Sequence, residues 1–140
     1  MLPADRRALA AELRMVCMRI SRRARFENVD QIAPHQFSVL AKLEAGAMTP
    51  RQLADAECVS APSMTRTLNC LSDKGFVSRA EDRDDRRKTW IQLTKEGQKI
   101  VRATRRSRDE WMEQRIDALT EQECAVLAQA AEILGRVVAR

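Results

Sequence analysis

The chain has 140 residues and a net charge of +5 at pH 7; 44% of its residues are hydrophobic, 4% are aromatic and none is tyrosine. This length is typical of one domain with its own core, and no apolar run approaches the roughly 20 residues that a membrane helix needs. The first segment, MLPADRRALAAEL, lacks the apolar core of a signal peptide, so a cytoplasmic location away from membranes is expected.

The sequence lacks the usual catalytic signatures. It has four glycines and one histidine, and it contains no GxSxG, phosphate loop, dinucleotide fingerprint or HExxH motif. The four cysteines, at positions 17, 58, 70 and 124, form no CxxC pair, so we expect neither a metal site nor a cofactor. In a reducing cytoplasm the cysteines should be thiols. Enzyme activity is not expected.

The charge is unevenly distributed. Residues 109–140 contain three Lys or Arg and seven Asp or Glu, a net charge of −4, whereas the remaining residues contain 22 and 13, a net charge of +9. A basic body joined to an acidic end is typical of a protein that contacts nucleic acid with one lobe only.

Residues 4 to about 26 are predicted to form a long first helix. Apolar residues recur every three or four positions, and such a wide stripe indicates contact with more than one neighbour. The stripe consists of Leu9, Leu13, Val16, Cys17, Ile20 and Ala24, widened by Met15 and Met18. The same helix carries Arg14, Arg19, Arg22, Arg23 and Arg25. This basic face is either solvated or in contact with phosphate.

Two shorter helices are predicted next. The first runs from Pro34 to Glu44 and ends by Gly46, with Phe37, Leu40 and Ala41 facing inward. The second begins at Thr49-Pro50-Arg51-Gln52, where the threonine hydroxyl can accept from a free amide and the glutamine can reach back. Its apolar side is formed by Leu53 and Ala54, with Val59 as a further candidate.

A fourth helix is predicted to begin at Ser60, with Pro62 in its first turn, and to end at Gly75. One face carries Met64, Leu68 and Leu71 at positions i, i+4 and i+7. The other faces carry Ser63, Thr65, Arg66 and Asn69.

A β-hairpin is predicted after this helix. Phe76-Val77 and Thr89 to Leu93 are typical of strands. The segment between them, Asp82 to Lys88, is too charged to be buried and suits the tip of a hairpin. Helix, turn, helix and hairpin in this order predict a winged helix-turn-helix. A helix that exposes Ser, Thr, Arg and Asn can enter a major groove, and an arginine-tipped hairpin can reach the adjacent minor groove.

Two helices are predicted to complete the chain. Thr94 caps the first, which covers residues 95 to about 117 and begins with several basic residues. Thr120-Glu121-Gln122-Glu123 is a capping box for the last helix, whose apolar stripe is Leu127, Ala130, Ala131, Leu134, Val137 and Val138. Since an isolated domain would have to bury this stripe and the first helix at once, a dimer is predicted.

Two segments, SMTRTLNCLSDKGFVSR and DDRRKTWIQLTKEGQ, resemble the multiple antibiotic resistance regulator (MarR) family of bacterial transcription factors. The order of the predicted helices fits as well, so the resemblance covers nearly the whole chain. The matching features are the Thr65-Arg66 pair, the spacing of Leu68 and Leu71, Lys74-Gly75, Arg79, Asp85 with Arg87, and the Leu93-Thr94 and Gly97 ending.

The resemblance implies a fold that is mainly α with a small β-hairpin wing. The winged helix-turn-helix, called the winged lobe below, would cover residues 33–93, and residues 1–30 and 95–140 would form a helical dimerisation lobe within the same domain. Residues 60–74 correspond to the recognition helix of the family. Arg87 corresponds to its wing arginine, which is oriented by an acid at the position of Asp85.

The resemblance also implies a homodimeric transcriptional repressor that binds a near-palindromic operator in double-stranded DNA. Residues 60–74 would lie in the major groove and residues 82–88 in the minor groove. The candidate DNA-binding residues are Ser60, Pro62, Ser63, Thr65, Arg66, Asn69, Arg79, Asp85, Arg86, Arg87 and Lys88.

Family members are released from DNA by a small aromatic or phenolic compound or by thiol oxidation. A ligand pocket between the first, second and fifth helices would have as its candidate lining Met15, Met18, His35, Phe37, Leu40 and Trp111. The redox candidate is Cys17, which lies where peroxide-sensing relatives carry a reactive cysteine and has arginines nearby that would favour the thiolate. Those relatives surround the sulfur with tyrosines, which this chain lacks.

One further class of function is left open by the sequence. The basic faces of the first and fifth helices could serve a helical module that binds RNA or another protein. Such a module would bind structured RNA about as well as palindromic DNA, and its binding would not depend on Arg66 or Arg87.

Overall fold

The computed structural model describes residues 2–27 and 32–139. The described chain is mostly helical with one antiparallel hairpin, which confirms the predicted fold class. In chain order the elements are α1 (Pro3–Phe26), α2 (Pro34–Leu43), α3 (Pro50–Glu57), α4 (Ala61–Asp73), β1 (Val77–Glu81), β2 (Thr89–Leu93), α5 (Lys95–Ile116) and α6 (Glu121–Val138). Among the described residues, no helix is both long and apolar enough to cross a membrane.

The four predicted hydroxyl caps are confirmed. In each case the side-chain oxygen accepts a hydrogen bond from the backbone N–H three residues later, at 3.0–3.3 Å. The caps are Thr49 on α3, Ser60 on α4, Thr94 on α5 and Thr120 on α6. Each satisfies one of the amides that a helix N-terminus leaves without a partner within the helix.

The hairpin contains one more backbone partner than the sequence indicated. In the β1–β2 pair, Val77 lies opposite Leu93 and Glu81 lies opposite Thr89. The loop between α2 and α3 pairs with the other edge of β2, where Met48 and Ile91 exchange two backbone hydrogen bonds of 3.1 and 2.8 Å. The base of the wing is therefore held from both sides of β2.

The core lies in the winged lobe and the first part of α5. The predicted inward residues Leu40, Leu53, Met64, Leu68 and Leu71 are all buried. The remaining buried apolar residues of the cluster are Ile32, Val39, Leu43, Ala54, Val77, Ile91, Ile100 and Val101.

Two predictions of inward-facing residues were wrong in detail. Ala41 is only half-buried, as is Phe37, which nevertheless packs against the core. Helix α2 instead buries Gln36, Val39 and Leu43 beside Leu40, because its buried face is rotated from the one predicted. Val59 lies beyond the end of α3 and is exposed. A short helix has too few turns for periodicity alone to fix which face is buried.

The terminal helices α1 and α6 contrast with this core, since neither has a buried residue among those described. Both expose large apolar side chains at helical spacing. Those on α1 are Leu9, Leu13, Met15, Val16, Met18, Ile20 and Phe26, and those on α6 are Val126, Leu127, Ile133, Val137 and Val138.

One polar cluster attaches the end of α1 to α5. The indole Nε1 of Trp111 donates to a carboxylate oxygen of Glu27 at 2.8 Å, and the same oxygen accepts from Arg115 at 2.8 Å. The guanidinium group of Arg115 also lies 3.6 Å from the centre of the Trp111 ring. A buried aromatic ring, a cation and an anion therefore fix the crossing of these helices.

Ion pairs also join α2 to α3 and to α5. Glu57 on α3 accepts from Lys42 and from Ser38 on α2. Burial raises the pKa of Glu57, but the hydrogen bonds from Lys42 and Ser38 outweigh this effect and hold the pKa below its usual value. Glu44, just after α2, receives two hydrogen bonds from Arg105 on α5, at 3.2 and 2.6 Å.

Candidate nucleic-acid interface

The turn between α3 and α4 sets the angle between the two helices. Cys58 ends α3 in the left-handed conformation, with φ of 55°, which is uncommon for a residue with a side chain. The N–H of Val59 donates to the carbonyl of Ala54 at 3.0 Å. Ser60 then caps α4 two residues after the left-handed position.

The solvent-facing side of α4 carries most of the candidate contact residues. Pro62, Thr65, Arg66 and Asn69 are exposed and follow one another at spacings of three, one and three residues, whereas Ser63 is half-buried. The hydroxyl of Thr65 donates to the carbonyl of Ala61 at 3.0 Å. The hydroxyl hydrogen is thereby used within α4, which leaves the exposed residue an oxygen acceptor for a base donor and a methyl group for contact with a thymine methyl.

Asn69 makes a contact with the wing. A guanidinium nitrogen of Arg79 on β1 donates to the amide oxygen of Asn69 at 2.6 Å. Both side chains are exposed. The structure therefore brings these two predicted residues together where α4 contacts β1.

The wing is shaped by Asp82, which the sequence prediction did not include among the site residues. Its carboxylate accepts from the backbone N–H of Asp84 at 3.0 Å and from the indole of Trp90 at 3.2 Å. These hydrogen bonds, the backbone one first, lower the pKa of Asp82. The sequence signal was a tryptophan next to a charged hairpin, since a half-buried indole needs an acceptor.

The tip of the wing is held by Asp85, but through the backbone. A carboxylate oxygen of Asp85 accepts from the N–H of Arg87 at 3.0 Å, and the carbonyl of Asp85 accepts from the N–H of Lys88 at 3.0 Å. Asp85 therefore fixes the backbone turn at Arg87, and its role in orienting the Arg87 side chain stays a prediction. The side chains of Arg86, Arg87 and Lys88 are exposed.

A junction of α4, β1 and α5 fixes the wing relative to the last part of the chain. The hydroxyl of Thr94 donates to the carbonyl of Gly75 at 2.6 Å, and its N–H donates to the carbonyl of Phe76 at 3.1 Å. Gly75 ends α4 with φ of 78°, as predicted. At Gly97 a Cβ would lie 2.1 Å from the carbonyl oxygen of Phe76, so only glycine fits there.

The six candidate pocket residues do not line one cavity among the described residues. Leu40 is in the core, Trp111 is buried against Glu27, and His35 is exposed. Met15 and Met18 are exposed on α1.

Phe37 lines an open cleft between α2, α5 and the end of α1, separate from the groove of α1 that Met15 and Met18 line. The cleft has a volume of about 350 Å³ and also contacts Arg25, Ser38, Lys42 and Arg108. The guanidinium carbon of Arg108 lies 4.0 Å from the centre of the Phe37 ring. A basic rim over an aromatic ring would suit an anionic aromatic molecule.

The four cysteines are free thiols. Cys17 and Cys58 are exposed, and Cys70 and Cys124 are half-buried. Cys17 faces the same groove of α1 as Met15 and Met18. Cys70, on the inner side of α4, accepts a hydrogen bond from the amide of Gln36 at 3.3 Å.

Comparisons with known proteins agree with this architecture. The MarR family model matches residues 32–89. An HTH-type transcriptional regulator of Mycobacterium bovis is 40% identical over 140 residues, which cover 99% of this chain and 97% of that protein.

Solved structures extend the similarity to three dimensions. A transcriptional regulator protein from Pseudomonas aeruginosa is 30% identical with a TM-score of 0.82, covering 99% of this chain and 98% of that one. A mutant of Staphylococcus aureus MepR bound to an oligodeoxyribonucleotide is 26% identical with a TM-score of 0.70, covering 92% and 97%. The chain therefore belongs to the MarR family and is a DNA-binding transcriptional regulator.

Proposed function

We propose that this protein is a cytoplasmic, homodimeric repressor that binds a near-palindromic operator. The observation that carries the proposal is that the exposed side of α4 contacts strand β1 of the wing through Asn69 and Arg79, and that the tip to which β1 leads carries exposed basic side chains. An α-helix fits the major groove of B-DNA. A guanidinium group on an adjoining hairpin suits the negative potential of a narrow minor groove.

Within this surface we assign roles by position. Arg66 lies on the exposed side of α4 and would read bases in the major groove, where arginine binds guanine through two hydrogen bonds. Arg87, at the tip fixed by Asp85, would enter the minor groove. Arg86 and Lys88 flank it and would contact phosphates.

The terminal helices support the proposed dimer. Contiguous apolar surface on a soluble monomer is rarely larger than a few hundred Å². Here α1 and α6 both expose apolar residues along their length, so a second copy is the partner that would cover both. A two-fold dimer would present two copies of α4 to half-sites about one DNA turn apart.

The signal that ends repression is a separate hypothesis. The cleft at Phe37, with Arg25, Lys42 and Arg108 on its rim, supports release by a small aromatic or phenolic anion. The exposure of Cys17 is compatible with the alternative, a thiol-based response.

The test of the proposal is a fluorescence-anisotropy titration against the DNA upstream of the protein's own gene, with unrelated DNA as competitor and at several salt concentrations. We expect binding that survives the competitor, with a steep fall in log K against log salt because phosphate contacts release counterions. Binding that the competitor abolishes, or equal binding to structured RNA, would count against a sequence-specific repressor.

Two variants separate the roles of helix and wing. Arg66→Ala should lose about 1–3 kcal/mol of discrimination between operator and unrelated DNA. Arg87→Ala should weaken binding and lessen any preference for a narrow minor groove. Arg106→Ala, which removes the same charge from an exposed position of α5 outside α1, α6 and the wing, is the matched control and should leave both properties unchanged.

A further inference from the structure

We propose that Arg79 sets which base Asn69 reads. By binding the amide oxygen, Arg79 leaves the amide NH₂ as the group available to DNA. Asn69 then recognises a base through hydrogen-bond acceptors, guanine above all, and does not pair with adenine through both amide atoms. This inference rests on the proposed function, since it concerns the base preference of the same surface.

The contact between the two side chains is short and charge-assisted. The guanidinium Nη2 of Arg79 lies 2.6 Å from Oδ1 of Asn69, and such hydrogen bonds are stronger than those between neutral groups. Among the described residues, no salt bridge to a carboxylate competes for Arg79. The amide oxygen of Asn69 is therefore the partner toward which Arg79 is directed.

The backbone of Arg79 is held in the best-supported part of the wing. Arg79 lies opposite Ile91, which is fully buried, and Ile91 is also bonded to Met48 on its other edge. Arg79 shares the face of β1 with Val77, two residues earlier, whose side chain is buried against the core. We therefore expect the position of the Arg79 side chain to be set by the sheet and not by the conformation of the wing tip.

The chemistry of the bases turns this geometry into a preference. Asparagine recognises adenine with both amide atoms, accepting from N6 and donating to N7. The oxygen of Asn69 is directed to Arg79, so the NH₂ group lies on the opposite side of the amide carbon and can only donate. The second lone pair of the oxygen lies beside the guanidinium donors, which disfavour the approach of the adenine N6 donor. Guanine offers two acceptors and no donor on its major-groove edge, whereas cytosine offers only a donor.

The competing role for Arg79 is a plain phosphate contact. In that case its removal would weaken binding to all sequences about equally and reduce the salt slope by about one. The two roles therefore differ in sequence preference, which affinity for a single DNA duplex would not reveal.

The experiment selects preferred duplexes from a randomised pool with the wild-type protein, and then measures binding of variants to duplexes that differ at one base pair. Asn69→Ala identifies the base pair that this residue reads. Arg79→Met removes the donor and keeps the length of the side chain. Arg83→Met, in the exposed part of the wing, removes the same charge and serves as control.

We expect the wild-type protein to prefer guanine at that base pair. Arg79→Met should shift the ratio of guanine to adenine binding toward adenine by about fivefold or more, because the freed amide can pair with adenine through both atoms. The shift should vanish in the Asn69→Ala background. Asn69→Asp, which keeps a partner for Arg79 but has no donor, should lose the guanine preference.

Three results would overturn the inference. The first is an adenine preference in the wild-type protein, and the second is a uniform loss of affinity in Arg79→Met that matches Arg83→Met. In both of these cases the proposed function would stand. The third is the absence of any preferred sequence for the wild-type protein, which would overturn the proposed function as well. Thermal melting of each variant by circular dichroism shows that the fold is retained.

Discussion

The winged lobe buries its apolar side chains within the chain, whereas the terminal helices expose theirs. In the winged lobe, six large apolar side chains have no more than 2% of their surface exposed: Leu40, Leu53, Met64, Leu68, Leu71 and Ile91. The terminal helices α1 and α6 have comparable apolar stripes but no buried residue among those described. The lobe thus buries its apolar side chains within one chain, whereas the stripes on α1 and α6 would be buried only by the proposed partner chain.

Because of this difference, we expect the stability of the proposed DNA-binding surface to be independent of the assembly of the proposed dimer. Side chains under α4 hold the candidate DNA contacts in place whether or not a second copy is present. The apolar side chains on α6 would contribute to stability only when they pack against a second chain. Substitutions in the two regions should therefore differ in their dependence on protein concentration.

We expect the largest loss of stability from a substitution that creates a cavity in the core of the winged lobe. Leu68→Ala removes a side chain that is 1% exposed under the recognition helix, and should lower the free energy of unfolding by about 2–5 kcal/mol. Leu127→Ala on α6 is the matched variant, with a side chain that is 44% exposed in the single chain. Its effect should be on dimer dissociation.

Urea unfolding at several protein concentrations distinguishes these outcomes. The loss caused by Leu68→Ala should persist when the protein is diluted, whereas the loss caused by Leu127→Ala should depend on concentration. An equal, concentration-independent loss in both variants would mean that α6 packs within its own chain.

The next effect concerns the junction of the wing with α5. Gly97→Ala places a methyl group against the carbonyl oxygen of Phe76, which lies only 2.1 Å from the new Cβ position, and should cost about 1–3 kcal/mol of stability. Gly135→Ala on α6 meets nothing within 4 Å and should be neutral or stabilise by up to about 1 kcal/mol.

Thermal unfolding monitored by circular dichroism measures both glycine variants. If Gly97→Ala were as stable as the wild-type protein, the close approach of α5 to the start of β1 would be refuted. A loss in Gly135→Ala would instead locate a partner chain at that point of α6.

The sequence was sufficient for the features that depend on near neighbours. The caps at Thr49, Ser60, Thr94 and Thr120 involve residues three positions apart, and the inward face of α4 follows from a single period. The order of these elements then predicted the fold class and the surface that carries α4 and the wing.

Contacts between distant segments could not be predicted in the same way. The hydrogen bond of Trp111 with Glu27 spans 84 positions, and the bridge of Met48 to Ile91 depends on the path of a loop. Neither has a periodic signal. For the same reason, the proposed pocket residues Leu40, His35 and Trp111 proved to have unrelated surroundings.

A smaller effect is expected when the wing is titrated. Because hydrogen bonds from the Asp84 amide and Trp90 lower the pKa of Asp82, their contribution is fully present above the unfolded pKa of about 3.9 and is lost as the pH falls through the lower folded pKa. In a Trp111→Phe background, the fluorescence of Trp90 should change in that acidic range. Asp82→Asn should abolish the transition, and a transition that persists in this variant would assign it to another carboxyl group.

The smallest effect is expected at the turn before α4. Cys58 has a left-handed backbone conformation, with φ of 55°, which glycine adopts without strain. Cys58→Gly should therefore change stability by no more than about 1 kcal/mol, in the stabilising direction. Chemical denaturation provides the measurement, and a clear loss would indicate that the Cys58 side chain itself supports the turn.

In the proposed dimer, two chains join through their terminal helices and present two copies of α4 to one DNA site. Native mass spectrometry of the protein, alone and with its selected duplex, counts the chains in each species. We expect two chains without DNA and two chains on each duplex, with Leu127→Glu giving single chains. Wild-type single chains that bind the duplex independently would contradict it.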